Sequence, residues 1–340
     1  MADTILYDSA MRLFGDHVTP LVPAAAEKGV WPEALWRAVE AAGYLDVLAD
    51  GVAGMVEAVT ILRAAGHYAA PIPLVETMLA RLLGRAAGVG VPPGVLTIAP
   101  VEPGDRIMLV GDVLAGRSGR VPWARDADAL ALVAEGRLYL APRNLFSVEA
   151  GANLAGEPRD ELDSVAIGEE DDGTPLPNGV DADLVMRWGA LMRAAQMAGA
   201  MEAALALSTR YANDRIQFGR PIAKFQAIQQ QLALLAEEAA ASLVVVESAA
   251  EAMAEARASA AIAVPAAKIR AGIAAGKVAE IAHQVHGAIG FTEEHSLHYL
   301  TRRLWSWRDE YGHESYWAQE LGRRIAAAGA DQLWPLMTMP

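Results

Sequence analysis

The chain has 340 residues, 53% of them hydrophobic, and its 28 basic and 42 acidic residues leave a formal charge of −14. That length allows two or three domains with sizeable cores, and that apolar content excludes a disordered chain. The negative balance argues against nucleic acid or an anionic membrane as partner, and the lack of cysteine excludes disulfides, thiolate metal sites and cysteine nucleophiles.

The first residues, MADTILYDSAMRLFGDH, mix charged and apolar side chains and lack the basic start and apolar core of a secretory signal. No uninterrupted apolar run is long enough to cross a bilayer, so the sequence predicts a soluble, cytoplasmic protein. Residues 1–91 read as a helical domain. Trp31-Pro32-Glu33-Ala34-Leu35-Trp36 starts a helix with proline in its first turn. Val56, Val59, Leu62 and Ala65 mark a second helix, ended by Gly66, and Leu79, Leu82 and Leu83 mark a third after Pro71-Ile72-Pro73. Plain packing accounts for nearly every residue in this stretch.

Residues 92–181 change texture. Val95–Ile98, Arg106–Val110, Ala129–Val133 and Arg137–Leu140 are short runs rich in Val, Leu and Tyr. Gly104-Asp105, Gly111-Asp112 and Glu135-Gly136 punctuate them, which predicts a small, shortened antiparallel β-domain. The acidic run from Glu169 to Asp172, with Gly173, reads as a solvated loop.

Residues 182–340 read as an antiparallel four-helix bundle. One apolar stripe runs through Leu184, Trp188, Leu191, Ala195, Ala198, Met201 and Leu205, and a second from Phe225 through Ile228, Leu232, Leu235, Ala239, Leu243 and Val246. Gly219 and Pro221 are expected to stop the first helix, and Pro265 to start the third. Left at the joint are Arg215, Gln217 and Phe218. A guanidinium pairs with phosphate oxygens and an aromatic ring covers a flat base; alternatively this is a helix end with a solvated arginine. His295 and His298 could share a helix face and bind zinc, but surface groups and residues flanking a loop explain the histidines from His283 to His298 better. Trp305, Trp307 and Trp317, with Arg302, Arg303 and Arg308, read as a packed last helix with arginines outside, or as a lining for a nucleotide or an interface.

Two motifs carry a resemblance. Arg215-Ile216-Gln217-Phe218-Gly219, Pro221-Ile222 and Phe225-Gln226 form the first, and Gln284-Val285-His286-Gly287-Ala288-Ile289-Gly290-Phe291 the second. Together, at this separation, they resemble the flavin-dependent acyl-CoA dehydrogenases, over nearly the whole chain and strongly after Asp183. The resemblance implies an α+β, mostly α fold: a helical N-terminal domain, a small β-domain and a C-terminal four-helix bundle. It implies FAD as cofactor, with Arg215, Gln217 and Phe218 touching its adenosine and pyrophosphate across a subunit interface. Gln284, His286 and the backbone near Gly287 would lie alongside.

The family's reaction takes an α-proton and a β-hydride from an acyl-CoA, and a carboxylate with a raised pKa serves as base. Family members place that glutamate after a tyrosine, just past the second motif. Here the stretch is Asp309-Glu310-Tyr311-Gly312, so Tyr311 fills the slot and Glu310 lies one residue early. The alternative base position, on the helix before the first motif, falls on Gly189. The β-domain also departs from the family: Thr97 to Asp105 lacks the expected serine, and Val121-Pro122-Trp123-Ala124-Arg125 lacks the threonines that follow the family's tryptophan. No catalytic residue is therefore expected in this chain, with Glu310 as the fallback. The resemblance is to the shorter subunit of bacterial heterotetramers, two of each chain, that act on steroid side-chain CoA esters. A sister chain would supply the base, with electron-transfer flavoprotein or a similar acceptor. A homo-oligomer using Glu310, and a scaffold that kept the fold and lost the cofactor, are the alternatives.

Overall fold

The computed structural model describes all residues except 1–3, 111–112, 167–171, 333, 336–337 and 339–340. The expected turn at Gly111-Asp112 and most of the acidic run, Glu169 to Asp171, lie outside the described residues. The N-terminal part is helical: α1 (Thr4–His17), α2 (Leu21–Ala26), α3 (Glu33–Ala41), α4 (Met55–His67) and α5 (Leu74–Ala86). Pro32 precedes the first residue of α3, where its missing N–H costs no helical bond.

Eight strands follow: β1 (Leu96–Ala99), β2 (Arg106–Val110), β3 (Val113–Pro122), β4 (Ala129–Ala134), β5 (Arg137–Pro142), β6 (Phe146–Glu149), β7 (Arg159–Ala166) and β8 (Thr174–Pro175). They form two four-stranded sheets, β1-β4-β5-β8 and β2-β3-β7-β6. The pairing is antiparallel except between β1 and β4, where Leu96 to Ala99 run parallel to Ala129 to Leu132. The purely antiparallel expectation fails there for a topological reason. The β2–β3 hairpin leaves for the second sheet, and the chain re-enters the first in its original direction. Both β1 and β4 are buried along their whole length; β4 is an unbroken apolar run, and in β1 the hydroxyl of Thr97 donates to the Pro122 carbonyl oxygen.

The bundle comprises α6 (Ala182–Asp214), α7 (Gln226–Ala254), α8 (Ala260–His286), α9 (Leu297–Asp309) and α10 (Glu314–Ala328). Asp181 caps α6 by accepting from the Leu184 N–H at 2.8 Å. Two punctuation residues act differently from expectation. The helix α6 ends at Asp214, and Gly219 instead shapes a hairpin between β9 (Ile216–Gln217) and β10 (Arg220–Pro221). Phe218 and Gly219 have φ of 51° and 77°, the left-handed pair of a type I′ turn. Pro265 lies inside α8, whose first residue is Ala260, so that helix starts a turn earlier than the proline suggests.

Helices α4 and α6 cross backbone to backbone. A Cβ on Gly66 would stand 2.0 Å from the Gln196 carbonyl oxygen, and one on Gly199 would stand 1.8 Å from the Arg63 carbonyl oxygen. Gly66 therefore does not end α4; it opens the groove into which α6 fits. Among the described residues no helix is long and apolar enough to cross a membrane.

Candidate functional site

The two sequence motifs meet at one end of the bundle. Tyr211, in the last turn of α6, stacks on His286, in the last turn of α8, with ring centroids 4.7 Å apart. His295 closes on the same histidine at 4.6 Å. Arg215, Gln217, Phe218, Gln284 and Gly287 are all exposed around this junction. Phe218 is 92% exposed and Phe291 73%, which is unusual for such large apolar rings on a folded chain. Phe291 lies over His283 at 4.3 Å, and Arg220 covers the ring of Phe225 at 4.3 Å. Among the described residues Arg215 has no acidic partner.

His286 is buried, and its Nδ1 lies 2.7 Å from the Ala282 carbonyl oxygen. That contact requires a proton on Nδ1, and burial holds the ring's pKa below the usual histidine range. The neutral ring then leaves Nε2 as an acceptor, which has no hydrogen-bond partner among the described residues. The neighbouring histidines are bonded through one nitrogen each, although His283 Nδ1 is also buried without a hydrogen-bond partner among the described residues. His283 Nε2 is 2.9 Å from Thr301 Oγ1, and His298 Nδ1 is 2.7 Å from the His295 carbonyl oxygen.

The second constellation lies where the base was sought. Tyr311 is fully buried, and its ring lies directly against Gly189: a Cβ on that glycine would be 2.2 Å from the tyrosine Cδ1. The two positions at which a base could stand are thus packed on each other. Glu310 is also buried. Its carboxylate accepts from Arg159 Nε at 2.7 Å and Nη2 at 3.0 Å, from Asn153 at 3.2 Å, and pairs with Arg193 Nε at 2.9 Å. Arg193 Nη2 donates to Glu76 at 2.6 Å, and the Tyr311 hydroxyl donates to the same oxygen at 3.0 Å. Glu157 accepts from Arg159, Asn153 and the Trp307 indole at 3.0–3.1 Å and pairs with Arg303 at 3.0 Å. The guanidinium of Arg159 lies over the ring of Trp123, 4.4 Å from its centroid.

Burial alone would raise the pKa of Glu310, but Arg159 and Arg193 outweigh it and hold the group below the ordinary carboxylate range. A carboxylate held in that state is a weak base. Burial lifts Tyr311 well above the usual phenol range, and Glu76 adds to that. Nearby, Lys268 is fully buried and donates to the carbonyl oxygens of Trp307 and Arg308 at 3.0 and 2.7 Å, capping α9. Burial brings its pKa down to about 7, against a partial opposing pull from Glu310.

Sequence reasoning missed Glu76, Arg159, Arg193 and Lys268. The available signal was a lone charge inside an apolar helical run, as in Met192-Arg193-Ala194 or Ala267-Lys268-Ile269. Arg303 also corrects the expectation of outward arginines on α9, because it is fully buried while Trp305 is the tryptophan left 40% exposed.

The description "Acyl-CoA dehydrogenase, C-terminal domain" matches residues 182–312. The acyl-CoA dehydrogenase IpdE2 of Mycobacterium tuberculosis is 29% identical over 309 residues, covering 88% of this chain and 89% of that protein. Residues 182–312 thus match the acyl-CoA dehydrogenase C-terminal domain, and most of the chain is similar to a member of that family. Among solved structures, a variant of the Tcur3481–Tcur3483 steroid ACAD superposes with a TM-score of 0.84 at 26% identity, covering 96% of this chain and 98% of that one. The ChsE4–ChsE5 complex of Mycobacterium tuberculosis shares the fold with the same TM-score at 24% identity, over 96% of this chain and 97% of that one.

The family's cofactor is FAD, and the two constellations fit it differently. The motif end suits it: a cationic fork without an acidic partner, an exposed ring and the orphaned Nε2 of His286 can take a pyrophosphate, a base and a hydroxyl. The buried network does not suit its ring, because Arg159 already lies on Trp123, Glu310 is held by Arg159 and Arg193, and Tyr311 packs on Gly189.

Proposed function

We propose that the chain is the non-base subunit of a heteromeric FAD-dependent acyl-CoA dehydrogenase, assembled as two copies of each of two chains. The observation that carries this reading is the packing of Tyr311 on Gly189 beside a Glu310 already paired with two guanidiniums. With both base positions occupied, the proton acceptor and the flavin ring come from a sister chain. Arg215, Gln217 and Phe218, with Gln284, His286 and the backbone at Gly287, reach from the exposed bundle end to the dinucleotide half of that chain's FAD. When bound, FAD would supply the hydride-accepting chemistry for the acyl-CoA. This chain's residues bind and orient: the guanidinium of Arg215 neutralises phosphate charge, and the neutral imidazole of His286 accepts a hydrogen bond.

The substrate class follows from the relatives. The Tcur3481–Tcur3483 protein is a steroid ACAD, and a bulky, steroid-type acyl-CoA is the substrate class proposed here. The enzyme works in the cytoplasm and passes electrons to an electron-transfer flavoprotein or a similar acceptor.

The test is the flavin absorbance of the chain purified alone and with a sister acyl-CoA dehydrogenase chain. The expected result is a colourless lone chain and a yellow, active complex. A lone chain with stoichiometric FAD and turnover would overturn the reading. In that case Glu310→Gln decides whether Glu310 is a displaced base, since loss of turnover with retained flavin would place it there.

A further inference from the structure

The ion network ties together parts of the fold that are far apart in sequence. Glu76 comes from α5, Asn153, Glu157 and Arg159 from the segment leading into β7, Arg193 from α6, and Glu310 and Tyr311 from the turn after α9. We propose that this network is an internal clamp that does the work of a bound flavin ring and acyl group: it ties the sheets to the bundle and locks both to the N-terminal helices. The inference rests on the reading above, that a sister chain holds the ring.

Three features carry it. First, the charges balance inside the core, with Glu76, Glu157 and Glu310 facing Arg159, Arg193 and Arg303, all but Glu310 less than 5% exposed and Glu310 at 6%. Buried ions are tolerated only when paired on this scale, and removing one partner strands the other. Second, Glu310 is the bridge. Arg159 grips it from the sheet side through two N–H groups, and Arg193 from the bundle side, while Arg193 also holds Glu76. Opening the cleft to admit a ring would part these contacts together. Third, apolar side chains of similar volume would have filled the space at no worse stability. What ion pairs add is direction: each fork accepts its partner in one orientation, so the parts are fixed in register and not merely packed. The Lys268 ammonium or amine, bonded to two carbonyls at the end of α9, holds the turn that carries Glu310.

The experiment is amide hydrogen exchange on the full-length chain, alone and with its sister chain, for wild type and Glu310→Gln. A clamp predicts that exchange accelerates by a common factor in α5, β7 and α9, on the order of a hundredfold, as expected when one partner of a buried pair is lost. Acceleration confined to residues 309–312, or none, overturns the clamp. If Glu310→Gln does not fold, Tyr311→Phe removes only the hydroxyl that donates to Glu76. It is expected to accelerate α5 and the turn after α9 together, by about tenfold, and purely local loosening overturns the clamp there too. A wild-type chain that purifies yellow by itself overturns both the clamp and the sister-chain reading. A colourless wild type with only local loosening overturns the clamp alone.

Discussion

Lys268 shows how a charge can be kept in a core by giving it up. Its Nζ meets two carbonyl oxygens, and a neutral amine still has two N–H donors to satisfy both. Burial lowers its pKa from 10.5 to about 7. Between those two values the unfolded chain binds a proton that the folded chain does not, so stability rises with pH across that window. Denaturant unfolding of wild type and Lys268→Met at pH 7, 8 and 9 should show the wild type gaining on the variant, by at most about 1.4 kcal/mol per pH unit. A constant difference would mean that the lysine stays charged in the fold. Gly189 makes a second residue-scale case. Gly189→Ala would drive a methyl into the Tyr311 ring and should cost about 1–3 kcal/mol of unfolding free energy. Combining it with Tyr311→Ala, which vacates the clash, should cost less than the sum of the two single changes.

At the scale of elements, hydrophobic period decided most of what the sequence could tell. The stripe through Trp188, Leu191, Ala195, Ala198 and Met201 lies in a helix buried on nearly every side, with Leu184 and Leu205 half-buried at its ends, and the runs at Leu96, which includes Thr97, and Ala129 are buried strands. What period could not tell is where chain-breaking residues act. Gly219 and Pro265 were legible as signals but not as positions, because a left-handed glycine serves a hairpin as readily as a helix end. β3, β6 and β7 went unread because their runs mix polar and apolar residues and lean on long-range pairing. The motif residues of the bundle end were legible as local patterns. The network around Glu310 was not, since its members are up to 235 positions apart, as with Glu76 and Tyr311, and only the fold brings them together. The α4–α6 crossing belongs to this scale as well. Gly199→Ala would place a methyl 1.8 Å from the Arg63 carbonyl oxygen, and backbone cannot yield as a side chain can. Thermal or denaturant unfolding should show a loss of about 3 kcal/mol or more, and a loss below about 0.5 kcal/mol would show that the two helices can part.

Across the whole molecule, charge is arranged in two opposite ways. Inside, cations and anions are matched and withdrawn from solvent. At the bundle end, Arg215 stands exposed on a chain of formal charge −14, whose overall field disfavours a phosphate ligand unless a local cation offsets it. The two arrangements separate stability from cofactor capture, so a change at one should leave the other alone. Arg215→Ala removes an exposed side chain with no acidic partner among the described residues, and the melting temperature of the lone chain should stay within about a degree of wild type, as for an ordinary surface change. On the proposed reading, the same substitution in the complex with the sister chain would remove a charge-assisted contact to phosphate, a loss of about 1.5–3 kcal/mol. That corresponds to roughly a ten- to hundredfold weaker hold on FAD, measurable by flavin fluorescence on dilution. Because the contact is with a phosphate, its contribution should shrink as salt rises. The gap between wild type and Arg215→Ala therefore narrows at high ionic strength. A variant complex that holds FAD as tightly as wild type at low salt would mean that the arginine serves the protein interface and not the cofactor.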